Sequence, residues 1–510
     1  MKRSSGILLP VSSLPSNYGI GTLGIEAYNF IDFLKAAGQK YWQMLPIGPV
    51  GAGDSPYSSY STFAGCYYYI DLDMLAEEGL ISADDIAGFE WGRDNESVCY
   101  ELVSINKIAV LKIAFANGRE KLKDEISEFR QENSAWLNNY AMYMSLKAHF
   151  EGKAWYDWPE EIKLGTEDAK HYYSELLADE IEFWIFTQFL FSKQWKALRS
   201  YAKEQGISFI GDVPIYVPLD SADVWSEPWF FQLDEEFRPI KVAGCPPDAF
   251  TAEGQLWGNP LYNWDKMKHD GYGWWIRRIA KASELYDVIR LDHFRGFSSY
   301  WAVPAEDENA INGKWMEGPG MDLIGVLTSW FFNTEFIAED LGNLTPDVFA
   351  LLKESKLPGM KVLQFAFDSK GDSLYLPHNC IENCALYIGT HDNNTTRGWL
   401  EELSDDDKKF ASDYMHITED EGWCKGMIRT GMAAPAKLFV MQMQDILELP
   451  GSCRTNMPGT PTGNWRWRML PGADSLELAE KLRETTKLYR RFSETAEDDT
   501  AEAEDAAGGT

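Results

Sequence analysis

VIRLDHFRGF, residues 288–297, decides the fold. It opens on a β-branched apolar run and ends in charge, with Arg290 and Asp292 two residues apart. In a β-strand, residues i and i+2 project to one face, so as a strand this run puts both side chains on the same side. An arginine beside a carboxylate keeps it ionised and oriented, which is what an aspartate nucleophile requires. Two further runs end the same way: FIAEDLG (336–342) in Glu339 and Asp340, and LYIGTHDN (386–393) in His391 and Asp392. Three acidic centres at strand ends, in a chain with 20 Trp, point to glycosidic-bond chemistry.

Working outward, the same kind of run recurs along the chain. The set is GILLP from Gly6, KYWQMLPIG from Lys40, ISFIGDVPIYV from Ile207, DVIRLDHFRG from Asp287, FIAEDLG from Phe336, MKVLQFAF from Met360, LYIGTHDN from Leu386 and FVMQMQDIL from Phe439. Near-continuous apolar strands separated by helical patterns indicate a parallel sheet buried on both faces. About eight such units predict an α/β protein built as a (β/α)8 TIM barrel, whose chemistry gathers at the C-terminal strand ends. Asp212, Asp292, Glu339, His391 and Asp392 all stand at those ends.

The spacing of the runs is uneven. Residues of about 72–201 carry apolar side chains at i, i+3 and i+4 and read as a large helical insertion. A second insertion, about 218–281, is rich in Trp, Pro and Gly and reads as an aromatic loop near the active site, a natural substrate wall. The expected organisation is one catalytic barrel domain over residues 1–492, followed by a disordered acidic tail, 493–510, with seven of the 79 acidic residues.

A net charge of −32 argues against nucleic-acid or anionic-membrane partners, and no segment has the apolar length of a membrane span. Seven cysteines without CxxC spacing fit reduced thiols in a cytoplasmic protein rather than a disulfide frame or zinc site. The N-terminal apolar run, broken by Pro10, does not read as a convincing signal peptide. No DxDxDG loop is present, so no metal is expected. No cofactor is expected either. GIGTLG from Gly19 has dinucleotide-fingerprint spacing, but it follows a turn-rich stretch rather than a strand and reads as a loop.

Cleaving a glycosidic bond takes a proton donor for the leaving oxygen and negative charge near the oxocarbenium-like centre. Glu339 suits the donor, because neighbouring acids raise its affinity for a proton. Asp292 beside Arg290 suits the nucleophile, and Asp392 suits hydrogen bonding to sugar hydroxyls. Each residue also has a plain structural reading: Asp292 as an ion-pair partner, Glu339 as a helix cap, His391 as a core histidine. Their joint occurrence at one end of the strands favours the chemical reading. His293 is expected to play a supporting role.

DSPYSSYSTFAG from Asp54, GDVPIYV from Gly211, AGCPPDAFTAEGQLWGNPLYNW from Ala243, VIRLDHFRGF, AEDLG from Ala338, GTHDNNTTRGW from Gly389 and GTPTGNWRWR from Gly459 resemble the motifs of the amylomaltase, or 4-α-glucanotransferase, family of the α-amylase clan. The resemblance runs from the N-terminus to about Arg491. It implies a retaining double displacement: Asp292 as nucleophile, Glu339 as general acid/base, Asp392 as transition-state stabiliser, and Arg290 and His391 assisting. It further implies that Tyr57, Asp212, Gln255, Trp257 and Asn259 bind substrate, with Asn464 and Trp465 structural. The implied partners are maltooligosaccharides and α-1,4-glucans. Two positions depart from the family pattern. Cys245 stands where an aliphatic residue is common and is expected as a small buried thiol. Asn394 stands where a second acidic residue is usual. The competing expectations are a hydrolase of the α-amylase type and a non-catalytic carbohydrate-binding protein.

Overall fold

The computed structural model describes residues 2–492 except 93, 248–250 and 343. The expected disordered tail lies outside the described residues. Each of the eight apolar runs overlaps a strand: β1 (Ser4–Leu8), β2 (Tyr41–Gln43), β3 (Ser208–Val213), β4 (Val288–Leu291), β5 (Glu335–Ala338), β6 (Gly359–Val362), β7 (Cys384–Tyr387) and β8 (Leu438–Gln442). They close into a barrel of order β1-β8-β7-β6-β5-β4-β3-β2, with every neighbouring pair parallel. The TIM-barrel expectation therefore holds. Every residue of β7 and of β8 is buried, which is why their sequences read as unbroken apolar runs rather than alternating ones.

Helices fill most of the connections. Ile25–Ala36 joins β1 to β2, Gly273–Leu285 precedes β4, Gly320–Trp330 precedes β5, Pro346–Ser355 precedes β6 and Trp423–Ala433 precedes β8. Among the described residues the β6–β7 connection holds no α-helix, only the single-turn segments Leu363–Phe365 and Pro377–Asn379. From Leu72 on, the stretch between β2 and β3 is mainly helical. Its last and longest helix, Ala178–Glu204, sends Trp195 onto Phe209 of β3 with ring centroids 5.4 Å apart. That helix therefore serves the barrel wall directly. Gly211 lets the same strand approach closely: a Cβ there would stand 2.1 Å from the Tyr286 ring.

The Trp/Pro/Gly-rich stretch is not only loop. Lys241–Cys245 and Gln255–Pro260 pair antiparallel, and with Ser299–Pro304 and Lys314–Glu317 they form a second, four-stranded sheet. The sequence reading missed this sheet because its two outer strands are largely exposed, KWME at every position and QLWGNP at its centre, so no buried apolar run marks them. The register slips between Val242 and Gly244, opposite Gly258, whose φ of 76° is a backbone shape that glycine adopts freely. Among the described residues no helix is long and apolar enough to cross a membrane.

Candidate active site

Strand register assembles the site. Asp212 on β3 pairs directly with Arg290 on β4, and Leu291 pairs with Ala338 on β5. The residues that follow, Asp292 and Glu339, are therefore neighbours at the top of adjacent strands. Arg290 is buried and its Nη1 donates to Asp212 Oδ1 at 2.7 Å, to Asp212 Oδ2 at 2.6 Å and to Asp292 Oδ1 at 2.9 Å. One guanidinium thus holds two carboxylates, and the aspartate paired with it in the sequence shares it with another brought in from 78 positions away.

The turn after β4 orients the acid that follows β5. His293 adopts a left-handed backbone, φ 49°, and its N–H donates to Glu339 Oε2 at 2.7 Å. The Leu341 N–H donates to Glu339 Oε1 at 3.0 Å. Both carboxyl oxygens are thereby oriented by main chain. The His293 ring stands edge-on to Trp257, centroids 4.8 Å apart, and burial with the nearby Arg295 pushes its pKa down to about 3, so it is neutral. The supporting role expected for His293 fits this placement.

On the opposite side, the Tyr57 hydroxyl donates to Asp212 Oδ2 at 2.7 Å and lies 3.4 Å from His391 Nδ1, while the two rings stack at 5.0 Å. Burial lowers the His391 pKa, against the pull of Asp392. His391 Nε2 is 3.3 Å from Asp392 Oδ1, and Asn456 Nδ2 donates to that same oxygen at 2.6 Å. Asp392 is the open member of the set, its side chain 47% exposed.

Electrostatics divide the two central carboxyls. Burial raises both above the usual carboxylate range, and each raises the other or is raised by further acids. Arg290 opposes this at both, but it contacts Asp292 directly. Asp292 is therefore the first to ionise, and the pair keeps one proton on Glu339 through neutral pH. The pH profile of kcat/KM should be bell-shaped. Activity falls on the acid side as Asp292 takes a proton and on the alkaline side as Glu339 loses its own, and both limbs lie above the range of ordinary carboxylates. Initial rates across pH at low substrate measure this, and an acid limb at the value of a free aspartate contradicts it.

The structure brings Arg290, Asp292, Glu339, His391, Asp392, Tyr57 and Asp212 into one contiguous set. Gln255 and Trp257 join through the second sheet: Trp257 Nε1 donates to Gln255 Oε1 at 3.1 Å, and Trp257 reaches His293. Asn259 is half-buried beyond the kink at Gly258 and, among the described residues, makes no hydrogen bond to this set. Cys245 is half-buried at the end of its strand, not the buried thiol expected. Asn394, where the family pattern has an acid, donates its amide to Glu402 at 2.6 Å; a carboxylate there would face Glu402 with like charge. Asn464 accepts from the Met457 N–H at 2.9 Å and donates to Thr460 O, fixing the loop that presents Asn456.

One participant was not legible in the sequence: Asn456 sits in RTNMPGT, which carries no acidic or periodic signal. The Trp465 ring lies 5.8 Å from Tyr57 and 5.9 Å from His391, packing behind the stack. Among the described residues, no group of three or more His, Cys, Asp and Glu side chains is placed to hold a metal ion.

Comparison with known proteins finds relatives along most of the chain. A family model described as 4-alpha-glucanotransferase matches residues 9–473. The 4-alpha-glucanotransferase of Clostridium butyricum is 44% identical over 94% of this chain and 99% of its own length. That of Thermus thermophilus is 45% identical over 96% of this chain and 100% of its own. The structure of the amylomaltase from Streptococcus agalactiae in complex with acarbose superposes with a TM-score of 0.94 at 40% identity, covering 96% of this chain and all (100%) of that one.

Proposed function

Because this chain belongs to the 4-α-glucanotransferase family and is an enzyme acting on α-1,4-glucans, we propose that it moves glucan segments between maltooligosaccharides through a covalent glycosyl-Asp292 intermediate, with glucose as a short product. The observation that carries this is the register of β4 and β5, which sets Asp292 and Glu339 on adjacent strands. Adjacent strands lie ~4.8 Å apart, the scale of carboxyl separation that retaining glycosidases use, about 5–5.5 Å.

In the first step Asp292 Oδ attacks the anomeric carbon while Glu339 gives its proton to the departing 4-oxygen. Arg290 keeps Asp292 ionised and aimed. Asp392, oriented by Asn456, bonds the hydroxyls of the ring at the cleavage point, and Asp212, Tyr57 and His391 line the same sugar. In the second step Glu339, now a carboxylate, accepts the proton of an acceptor 4-hydroxyl as that oxygen displaces Asp292. Gln255, Trp257 and Asn259 belong to the acceptor side. The acarbose carried by the related amylomaltase supports a site shaped for such glucans.

Transfer rather than hydrolysis requires that a sugar hydroxyl outcompete water. Trp257, 36% exposed and braced against His293, is the wall that orients the acceptor. Trp257→Ala should raise the ratio of hydrolysis to transfer, read as reducing-end release against redistribution of oligomers. An unchanged ratio removes Trp257 from that role.

The overall test is maltotriose as sole substrate. A ladder of longer maltooligosaccharides with free glucose is the expected result. Maltose and glucose without longer products mean that water is the acceptor.

A further inference from the structure

The second sheet meets the turn after β4 through both of its outer strands. On one of them, Gln255–Pro260, Trp257 stands against His293. On the other, Lys314–Glu317, Trp315 stands against Arg295, two residues further along the chain from His293, with the guanidinium carbon 4.0 Å from the ring centroid. The transfer steps above use Trp257 and give Trp315 no part.

Trp315 is held on two sides. Arg295 is buried and its Nη2 donates to Thr345 Oγ1 at 3.4 Å, so the cation that covers one face of the indole is itself fixed. Trp301, opposite Trp315 in the strand register, meets it edge-on with centroids 5.1 Å apart. The Trp301 Nε1 donates to Ala310 O at 2.9 Å, and Gly313 makes room for it: a Cβ there would stand 2.2 Å from that nitrogen. Even so, Trp315 keeps 42% of its surface exposed. With one face under Arg295, what remains open is the opposite face and the rim of the ring.

Packing does not call for this exposure. Edge strands usually carry charge that deters association, whereas this one sets Trp315 and Met316 between Lys314 and Glu317, all four exposed. Exposed apolar surface rimmed by polar groups marks a binding site. Glu317 is two residues from Trp315, so the two side chains project to the same face of the strand. Among the described residues its carboxylate forms no hydrogen bond or ion pair. A flat apolar face beside an open hydrogen-bond acceptor matches a pyranose ring, which offers C–H groups on its face and hydroxyls at its rim. The carboxylate disfavours an anionic ligand, and a neutral sugar meets no such penalty. Because the indole is already fixed, binding costs little side-chain freedom.

We propose that Trp315, with Glu317, forms a distal acceptor subsite, which takes the far end of an α-1,4-glucan whose near end lies against Trp257; this rests on the glucan-transfer reading of the active site. The two outer strands are separated by the two inner ones, a distance of about 14 Å at ordinary strand spacing. A single glucose held beside Trp257 does not reach Trp315, and a longer acceptor does. The subsite thereby makes acceptor length a determinant of affinity, and it favours capture of long glucans over glucose.

The experiment gives the full-length enzyme one donor, maltosyl fluoride with a labelled maltosyl group, and compares glucose with maltohexaose as acceptor by following the label into products. In Trp315→Ala the ratio of kcat/KM for maltohexaose to that for glucose should fall about tenfold, the scale of one lost aromatic contact. The change should lie in KM for maltohexaose rather than in kcat. Trp315→Phe should restore most of the ratio, and Glu317→Ala, which leaves the ring in place, should lower it by a smaller factor. A ratio in Trp315→Ala equal to that of the parent protein overturns the subsite and leaves the transfer reading intact. A parent protein that transfers to neither acceptor overturns the transfer reading and the subsite with it. If the ratio holds in Trp315→Ala but the native mass falls, the ring is a contact between two copies of this chain, and the subsite is again overturned.

Discussion

Asp292→Asn is expected to lower turnover of maltotriose by about 10⁴-fold or more while leaving the fold as stable as before. The amide is nearly isosteric, but it cannot form the glycosyl ester. Arg290 keeps both oxygens of Asp212, so its charge does not become orphaned. The stability half of the expectation follows from the direction of the pKa shift. The folded-state pKa of Asp292 is raised, so its contribution is fully favourable below the unfolded value and is lost as pH rises through the folded one. At neutral and alkaline pH the ionised carboxylate costs stability, and Asn removes that cost. The melting temperature of the variant should equal or exceed that of the parent there. Maltotriose turnover with thermal melts at neutral and mildly alkaline pH checks both halves. Retained turnover would end the nucleophile assignment, and a large fall in melting temperature would mean that Asp292 is a structural ion-pair partner.

Glu339→Gln carries the second large effect. Removing the proton donor should cost about 10²–10⁴-fold with a maltooligosaccharide donor. A donor with a fluoride leaving group needs no proton, so its first step should run at close to the parent rate. That contrast isolates acid catalysis from binding, because both donors fill the same site. If the fluoride donor is lost equally, Glu339 is not the acid. The glutamine also has a structural consequence. The His293 and Leu341 N–H groups each donate to a different carboxyl oxygen, and the amide nitrogen cannot accept from one of them. One main-chain donor loses its partner, so the melting temperature should fall by an amount equivalent to about 1–3 kcal/mol. The two variants therefore move stability in opposite directions, although both remove a carboxylate from one site.

The sequence by itself determined the barrel. A strand buried on both faces must be apolar along its length, so GILLP, LYIG and FVMQM identify themselves without knowledge of their neighbours. The acidic and histidine residues that close such runs placed Asp212, Asp292, Glu339, His391 and Asp392 at one rim. These are local facts, written in consecutive residues. What the tertiary structure decided is what each group meets across the chain. Arg290 is shared with Asp212, 78 positions away, and Asp392 is steadied by Asn456, 64 positions away. Trp465 backs His391 from the far end of the sequence, and a second, antiparallel sheet delivers Trp257 to His293. The distribution of the proton between Asp292 and Glu339 belongs to the same class. It depends on burial and on Coulomb interactions over a few ångströms, and no spacing along the chain encodes those distances.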